Sequence, residues 1–354
     1  MDVKKIISLA YYLPQFHEIP ENNSWWGEGF TEWVNLRDAP QYFSWQEVRR
    51  PIEPFHEYSL LDPEVMEWQS RIATEHGVTG FLVWDYWFGG GKQLLEKPTS
   101  LLLEKGLNFK YCFSWANHSW ENKKTRSLLQ EQRYLGEEDY AAYFYNRLPH
   151  FKSDNYVKID GKPVFAVFLP QAIPDLSCFV EVFRRLAIKE GFPGVYLIAE
   201  NSTEEITPLF DRYLSSGASF KRRKTSSPLQ FIKEQLIRRC NWNFLGPVVF
   251  DYEKTVFKRS RDSLGFSEIP VLLTGWDTTP RHRARGTIYR GFTLKVFKES
   301  LRNIVAQLKL QQADQPIIVV KSWNEWAEGN VMEPDSVFGD ALLKAYKDIV
   351  PSCL

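Results

Sequence analysis

Short apolar runs alternate along the chain with longer stretches in which apolar residues recur at helical spacing, the order of elements that marks an α/β fold. Eight runs read as strands: residues 6–12, 80–87, 110–116, 163–168, 195–200, 212–216, 270–276 and 317–322. They are almost continuously apolar rather than alternating, as strands are when both faces of a parallel sheet are covered. Asp62 followed by Pro63 reads as a helix start, a capping side chain with proline at the first helical position. Leu294, Phe297, Leu301, Ile304 and Leu308 recur at three and four residues as one buried stripe. Phe338, Leu342, Tyr346 and Ile349 repeat the pattern in a last helix.

Eight strand–helix units predict an α/β chain closed as a (β/α)8 TIM barrel with long βα loops, an open doubly wound sheet being the alternative. The sixth strand is the weak point. Residues 217–246 read as an insertion, and 247–250 compete with 212–216 for that position in the barrel. No linker or repeat divides the chain, so residues 1–354 are expected to form a single domain.

Composition narrows the function. The 44 basic and 44 acidic side chains balance, which argues against nucleic acid as a partner. Cys112, Cys178, Cys240 and Cys353 show neither CxxC nor Cys/His spacing, so no metal, no cofactor and no disulfide framework is expected, and a reducing compartment fits best. No run is long enough for a transmembrane segment. Lysines before the first apolar run imitate a signal peptide, but Tyr11-Tyr12, Pro14 and Gln15 follow with no small-residue cleavage site. The expected location is cytoplasmic. Peripheral attachment at the inner membrane is an option through the basic run Lys221-Arg222-Arg223-Lys224, although such runs are mostly solvated loops.

The aromatic content changes the picture more. Thirteen Trp, 16 Tyr and 25 Phe make 15% of the chain, and ten of the tryptophans fall just past the carboxyl ends of the strands, where a parallel barrel keeps its working residues. Strand one leads into Tyr11, Tyr12, Gln15 and His17, then Trp25, Trp26 and Trp33. Strand two ends on Asp85, Tyr86 and Trp87, and strand three runs into Trp115, Asn117, His118 and Trp120. Strand seven gives Trp276, Asp277 and Arg281, and strand eight Asn324 and Trp326. Flat rings beside amides, carboxylates and histidines suit a sugar, whose C–H face stacks while its hydroxyls find polar partners. An oligosaccharide or polysaccharide is therefore the expected partner. Aromatic filler above the barrel is the bland alternative for any single tryptophan.

Glu325 and Glu328 in WNEWAEG are the candidate catalytic pair, since cleavage or transfer of a glycosidic bond commonly uses two carboxyl groups. The ExxE spacing alone is common on solvated helices. Its setting between two tryptophans at a strand end makes the catalytic reading stronger. Asn324 either orients a carboxylate, binds a hydroxyl or caps the loop.

AYYLPQFHEIPEN, WWGEGFTEW, YWFGGGKQLLEKP, GWDTTPR and SWNEWAEGNVMEPD together resemble the WbsX family of glycosyltransferases from bacterial polysaccharide gene clusters, itself similar to glycoside hydrolase family 99, the endo-α-mannosidases. The resemblance runs from strand one to the loop after strand eight. It implies a TIM barrel acting on a glycan in lipopolysaccharide or O-antigen biosynthesis, with a substrate that is free or lipid-linked. By the match to the family 99 N-E-W-x-E segment, it implies Glu325 as base and Glu328 as acid/base. The implied reaction is retaining and assisted by the sugar's own 2-hydroxyl, through a 1,2-anhydro sugar. The chain departs from its relatives at His118-Ser119, where an acidic residue is usual, and at Asp85, where a histidine is common. Both departures imply a different sugar or linkage, or an inactive relative.

Three other signals are weaker. Gly89-Gly90-Gly91-Lys92 after strand two reads as a tight turn opening a helix and lacks the Walker spacing of a phosphate loop. Among Arg281, Arg283 and Arg285, one is expected to meet an acidic sugar or phosphate. A transferase using an activated sugar donor and a non-catalytic glycan-binding protein are the competing functions.

Overall fold

All eight expected barrel strands form in the computed structural model, which describes residues 5–122, 125–201, 207–214, 220–257, 263–311 and 313–350. They are β1 (Ile7–Tyr12), β2 (Gly80–Trp87), β3 (Tyr111–Trp115), β4 (Lys162–Val167), β5 (Tyr196–Ala199) and β6 (Arg212–Leu214). β7 comes in two pieces, Glu268–Ile269 and Val271–Leu273, and β8 is Ile317–Lys321. Every neighbouring pair is parallel. The ring closes through the split in β7, whose first piece pairs with β6 and whose second pairs with β8. Pro270 lies between them. It has no N–H to give, and its carbonyl accepts from Val319 at 3.0 Å, so the break falls where proline tolerates it.

The apolar runs are explained by burial on both sides, one face lining the barrel and the other meeting the helices. β2 is buried at all eight positions and β3 at all five. Asp62 caps the helix Pro63–Glu75 by accepting from the Glu64 N–H at 3.0 Å. The helix Leu294–Gln311 buries Phe297, Leu301, Ile304 and Leu308 as its spacing predicts. The last helix, Ala341–Ile349, buries Leu342 and Tyr346, while Phe338 precedes it.

Two expectations change. Between β5 and β6 the described residues hold only the short 3-10 turn Thr207–Leu209, so the strand–helix alternation lapses there. The 247–250 run does form a strand, Val248–Asp251, but it pairs with Thr287–Arg290 in a separate parallel ribbon. With Phe231 and Ile237 from the insertion and Tyr252 after it, this ribbon builds a small second core outside the barrel. The insertion contributes the helices Phe220–Ser226 and Pro228–Cys240. Ser215 and Ser216, expected in strand six, lie outside the described residues, as does Cys353. Among the described residues, no helix is long and apolar enough to cross a membrane.

Candidate active site

Side chains alternate across a strand, so only every second residue at a strand end looks into the barrel. On β1 that residue is Tyr11. Tyr12 points the other way and donates from its hydroxyl to Gln69 of the surrounding helix at 2.6 Å. On β2, Trp84 and Tyr86 face the mouth. Trp84 stacks on Tyr11 with centroids 4.6 Å apart and donates its indole N–H to Glu325 Oε1 at 2.8 Å. On β3 the inward residue is Ser114, which donates to Glu200 at 2.6 Å. Lys321, the last residue of β8, holds its ammonium 5.2 Å from the Tyr11 ring centroid and 5.7 Å from that of Trp84.

Glu325 and Glu328 stand on the turn that follows β8, Glu328 within a short 3-10 segment, Trp326–Glu328. Arg281 from the loop after β7 binds them together. Its guanidinium pairs directly with Glu328, lies 3.7 Å from Glu325 and also reaches Glu32 at 3.3 Å. Glu32, near-fully buried, comes from the helix Glu32–Arg37. Three carboxylates from two loops thus share one guanidinium.

This arrangement divides the pair. Burial, followed by repulsion from Glu328, pushes the Glu325 carboxyl up to about 7, against the pull of Arg281 and Lys321. Burial would raise Glu328 too, but Arg281, then Lys321 and His282, hold it below its ordinary value. When the pair carries one proton, that proton sits on Glu325. Burial also raises Glu200.

The turn is braced from behind. Trp326 donates from its indole towards Tyr58 and Glu333, and Glu333 accepts from Tyr58 at 2.8 Å and Gln69 at 2.6 Å. Asn324 is a loop clamp: its side chain accepts from the Leu13 N–H at 2.7 Å and donates to the Leu13 carbonyl at 3.1 Å. Asp277 accepts from Gln46 and from Thr279, while its backbone N–H donates to the Glu328 carbonyl at 2.8 Å. Trp276 lines a separate cavity of about 290 Å³ behind the turn, together with Trp45 and Tyr289.

Several residues expected in the pocket are placed elsewhere by the same alternation. Asp85 turns outward from β2 into a buried ion pair with Arg147 at 2.7 Å and accepts from Tyr143 at 2.6 Å, so it is no pocket-wall residue. Trp87 stacks on Tyr143, and Trp115 packs against Phe179 and donates to the Trp87 carbonyl at 2.9 Å, both in the helix layer. Trp33 is buried and donates to the Tyr58 carbonyl at 2.7 Å. His17 is enclosed against the Pro14 carbonyl, and burial brings it down to about 4. Asn117 clamps Leu169 and Tyr134, and Asp277 and Asn324 hold loops as described.

At the rim, half-buried Trp25 and Trp120 meet edge to face, and Trp120 meets Tyr86 at 5.1 Å. Gln15 is half-buried and its carbonyl accepts from the Glu32 N–H, His118 packs on Phe168 at 5.4 Å, and Trp26 is exposed. Arg283 and Arg285 bond to Asp38 and Asn241, away from the pair. The three glycines form a hairpin turn to the short strand Gln93–Leu94 rather than opening a helix. The Gly90 N–H already donates to Asp139 at 2.7 Å, which leaves no phosphate cradle there. Gly89 needs its glycine: at φ +87°, an added Cβ would lie 2.6 Å from the Arg133 carbonyl oxygen.

Trp84, Glu32, Ser114, Glu200 and Lys321 were not singled out from the sequence. Glu32 stands inside the FTEW motif, and Trp84 is two residues from Tyr86, so alternation from one correct residue would have found it.

A model of the family described as Glycosyltransferase WbsX matches residues 8–346. The chain belongs to the WbsX glycosyltransferase family. Two uncharacterized WxcX proteins, from two Xanthomonas campestris pv. campestris strains (ATCC 33913 and B100), are each 30% identical to it over 343 and 344 residues, covering 95% of this chain and 48% of theirs. The chain spans about half the length of these curated relatives. In fold it is similar to a GH99 endo-alpha-mannosidase from Bacteroides thetaiotaomicron, at TM-score 0.57 and 16% identity over 97% of this chain and 96% of that one. A glycoside hydrolase-like protein is similar at TM-score 0.58 and 14% identity, covering 99% and 96%. This WbsX chain thus folds as a TIM barrel like those two structures.

Proposed function

We propose that this chain is a retaining glycan-processing enzyme, a hydrolase or transglycosylase that acts in assembly or remodelling of a bacterial cell-surface polysaccharide such as lipopolysaccharide O-antigen. It works in the cytoplasm on an oligosaccharide or polysaccharide, free or lipid-linked. The observation that carries the reading is the Glu325 and Glu328 pair on one short turn at the barrel mouth, both in reach of Arg281.

Glu325 takes the proton of the sugar's 2-hydroxyl as that oxygen closes on the anomeric carbon, and Glu328 gives its proton to the leaving oxygen. In the second step Glu328 takes the proton of the incoming hydroxyl as its oxygen attacks the anomeric carbon, and Glu325 returns its proton to O2. These roles start with the proton on Glu328, whereas the free site keeps it on Glu325. A substrate oxygen that accepts from Arg281 weakens the guanidinium's hold on Glu328 and so favours the transfer. Tyr11, Trp84 and Tyr86 supply the aromatic wall for the sugar.

Catalysis needs one proton on the pair. Consequently kcat/KM is expected to fall as pH rises through about 7, where Glu325 loses that proton, and to hold on the acid side until Glu328 is protonated below its ordinary range. A profile that stays level from about pH 6 to 9 would contradict this.

The direct test offers the protein the surface polysaccharide of its source and the lipid-linked precursors, with products followed by mass spectrometry. Cleaved or transferred chains formed without nucleotide support the proposal. The family's description favours one alternative, a transferase with an activated donor, and product formed only on adding a nucleotide-sugar would select it.

A further inference from the structure

Lys321 is a cation at the mouth of the barrel that makes no direct ion pair among the described residues. Its ammonium lies over two rings that stack on each other, Tyr11 and Trp84, at 5.2 and 5.7 Å. Trp84 in turn donates its indole N–H to Glu325 at 2.8 Å. The other cation, Arg281, is divided among Glu32, Glu328 and Glu325, and Glu328 has its direct contact.

We propose that Lys321 is a positioning residue that sets the proton occupancy of Glu325, acting across the Trp84 ring and through space rather than by an ion pair. Two effects run the same way. A positive charge over an indole face draws electron density from the ring and makes its N–H a stronger donor to a carboxylate. The same charge in a poorly solvated pocket favours the ionised form of a nearby carboxyl directly.

Every other group facing Glu325 belongs in the balance. Glu328 on the same turn repels and itself feels Arg281, Lys321 and His282, while Glu32 from the helix after β1 is held at Arg281. Tyr86 from β2 lies close and buried, and Glu200, just past β5, draws on the Lys321 charge. Lys321 is the cation that none of these carboxylates binds directly, so its field reaches Glu325.

The inference rests on the proposed function only in giving Glu325 a working proton, and its test needs no substrate. The Glu325 carboxyl is titrated by 13C NMR in the full chain labelled at glutamate Cδ, its resonance identified by loss in Glu325→Gln. In Lys321→Met, which keeps the apolar stem and removes the charge, the Glu325 midpoint is expected to rise by about one pH unit. Lys321→Arg is expected to restore it to near the wild-type value. Lys321→Gln gives the same reading as methionine and serves if that variant does not fold. Trp84→Phe, which keeps a ring but loses the N–H, is also expected to raise the midpoint. An unmoved midpoint in the folded neutral variants overturns the proposal, as does an equal rise in Lys321→Arg. A midpoint that moves while the kcat/KM limb does not leaves Lys321 in this role and rejects Glu325 as the base of the proposed reaction.

Discussion

Glutamine at position 325 or 328 is expected to lower turnover by about 1,000-fold or more while the chain stays folded. Each substitution removes a group that must gain and lose a proton, yet keeps nearly the same shape, and an amide oxygen at 325 can still accept from Trp84. The stabilities of the two variants are expected to move in opposite directions.

Glu325 has its folded value raised to about 7, above its unfolded value, so its contribution to stability falls as pH rises between the ordinary carboxylate range and about 7. At pH 8 the folded state carries the whole burden of a buried, repelled charge. Glu325→Gln is therefore expected to raise the unfolding temperature there by about 2 °C. Glu328 is the reverse case. Its folded value is lowered, chiefly by Arg281 against the effect of burial, so it stabilises above the ordinary carboxylate range. Glu328→Gln is expected to lower the unfolding temperature at pH 8 by a similar amount. Full activity in either variant contradicts the catalytic assignment, and equal thermal shifts contradict the electrostatics of the pair.

Arg147→Met is expected to cost about 3–5 kcal/mol of stability while leaving turnover close to wild type below the unfolding transition. Arg147 donates to both oxygens of Asp85, and its guanidinium packs over Phe113 and Tyr143. Methionine fills much of the space but strands the Asp85 charge behind β2, where, among the described residues, Tyr143 remains to donate to it. Denaturant unfolding measures the first effect and product formation at low temperature the second. A large loss of activity in a fully folded variant would return Asp85 to the pocket wall, where its position at the end of the second strand suggests it.

The Asp85 case shows where the sequence was legible. The barrel strands, the sixth apart, stand out because each run is almost continuously apolar and bounded by polar or turn residues, and the helices show through Asp62-Pro63 and the Leu294 stripe. The catalytic segment was visible for a similar local reason, two carboxylates and two tryptophans compressed into WNEWAEG. Pro270 opens the seventh run, and the strand extends beyond it to Glu268–Ile269, so the proline joins two pairings of one strand rather than starting it.

What the sequence determined by itself was the set of barrel strands, the rim that carries the aromatics and the family motif with its pair of glutamates. Tertiary structure alone decided which residues of that rim face the pocket. Strands covered on both sides carry no alternation of apolar and polar positions, so Tyr11 and Tyr12, or Trp84 and Asp85, look equally eligible until the barrel gives them an inside and an outside. It also decided the electrostatics. Glu32, Arg281 and Glu325 lie far apart in sequence, and one guanidinium reaches both carboxylates only because closing the barrel brings the loops after β1, β7 and β8 to one poorly solvated mouth.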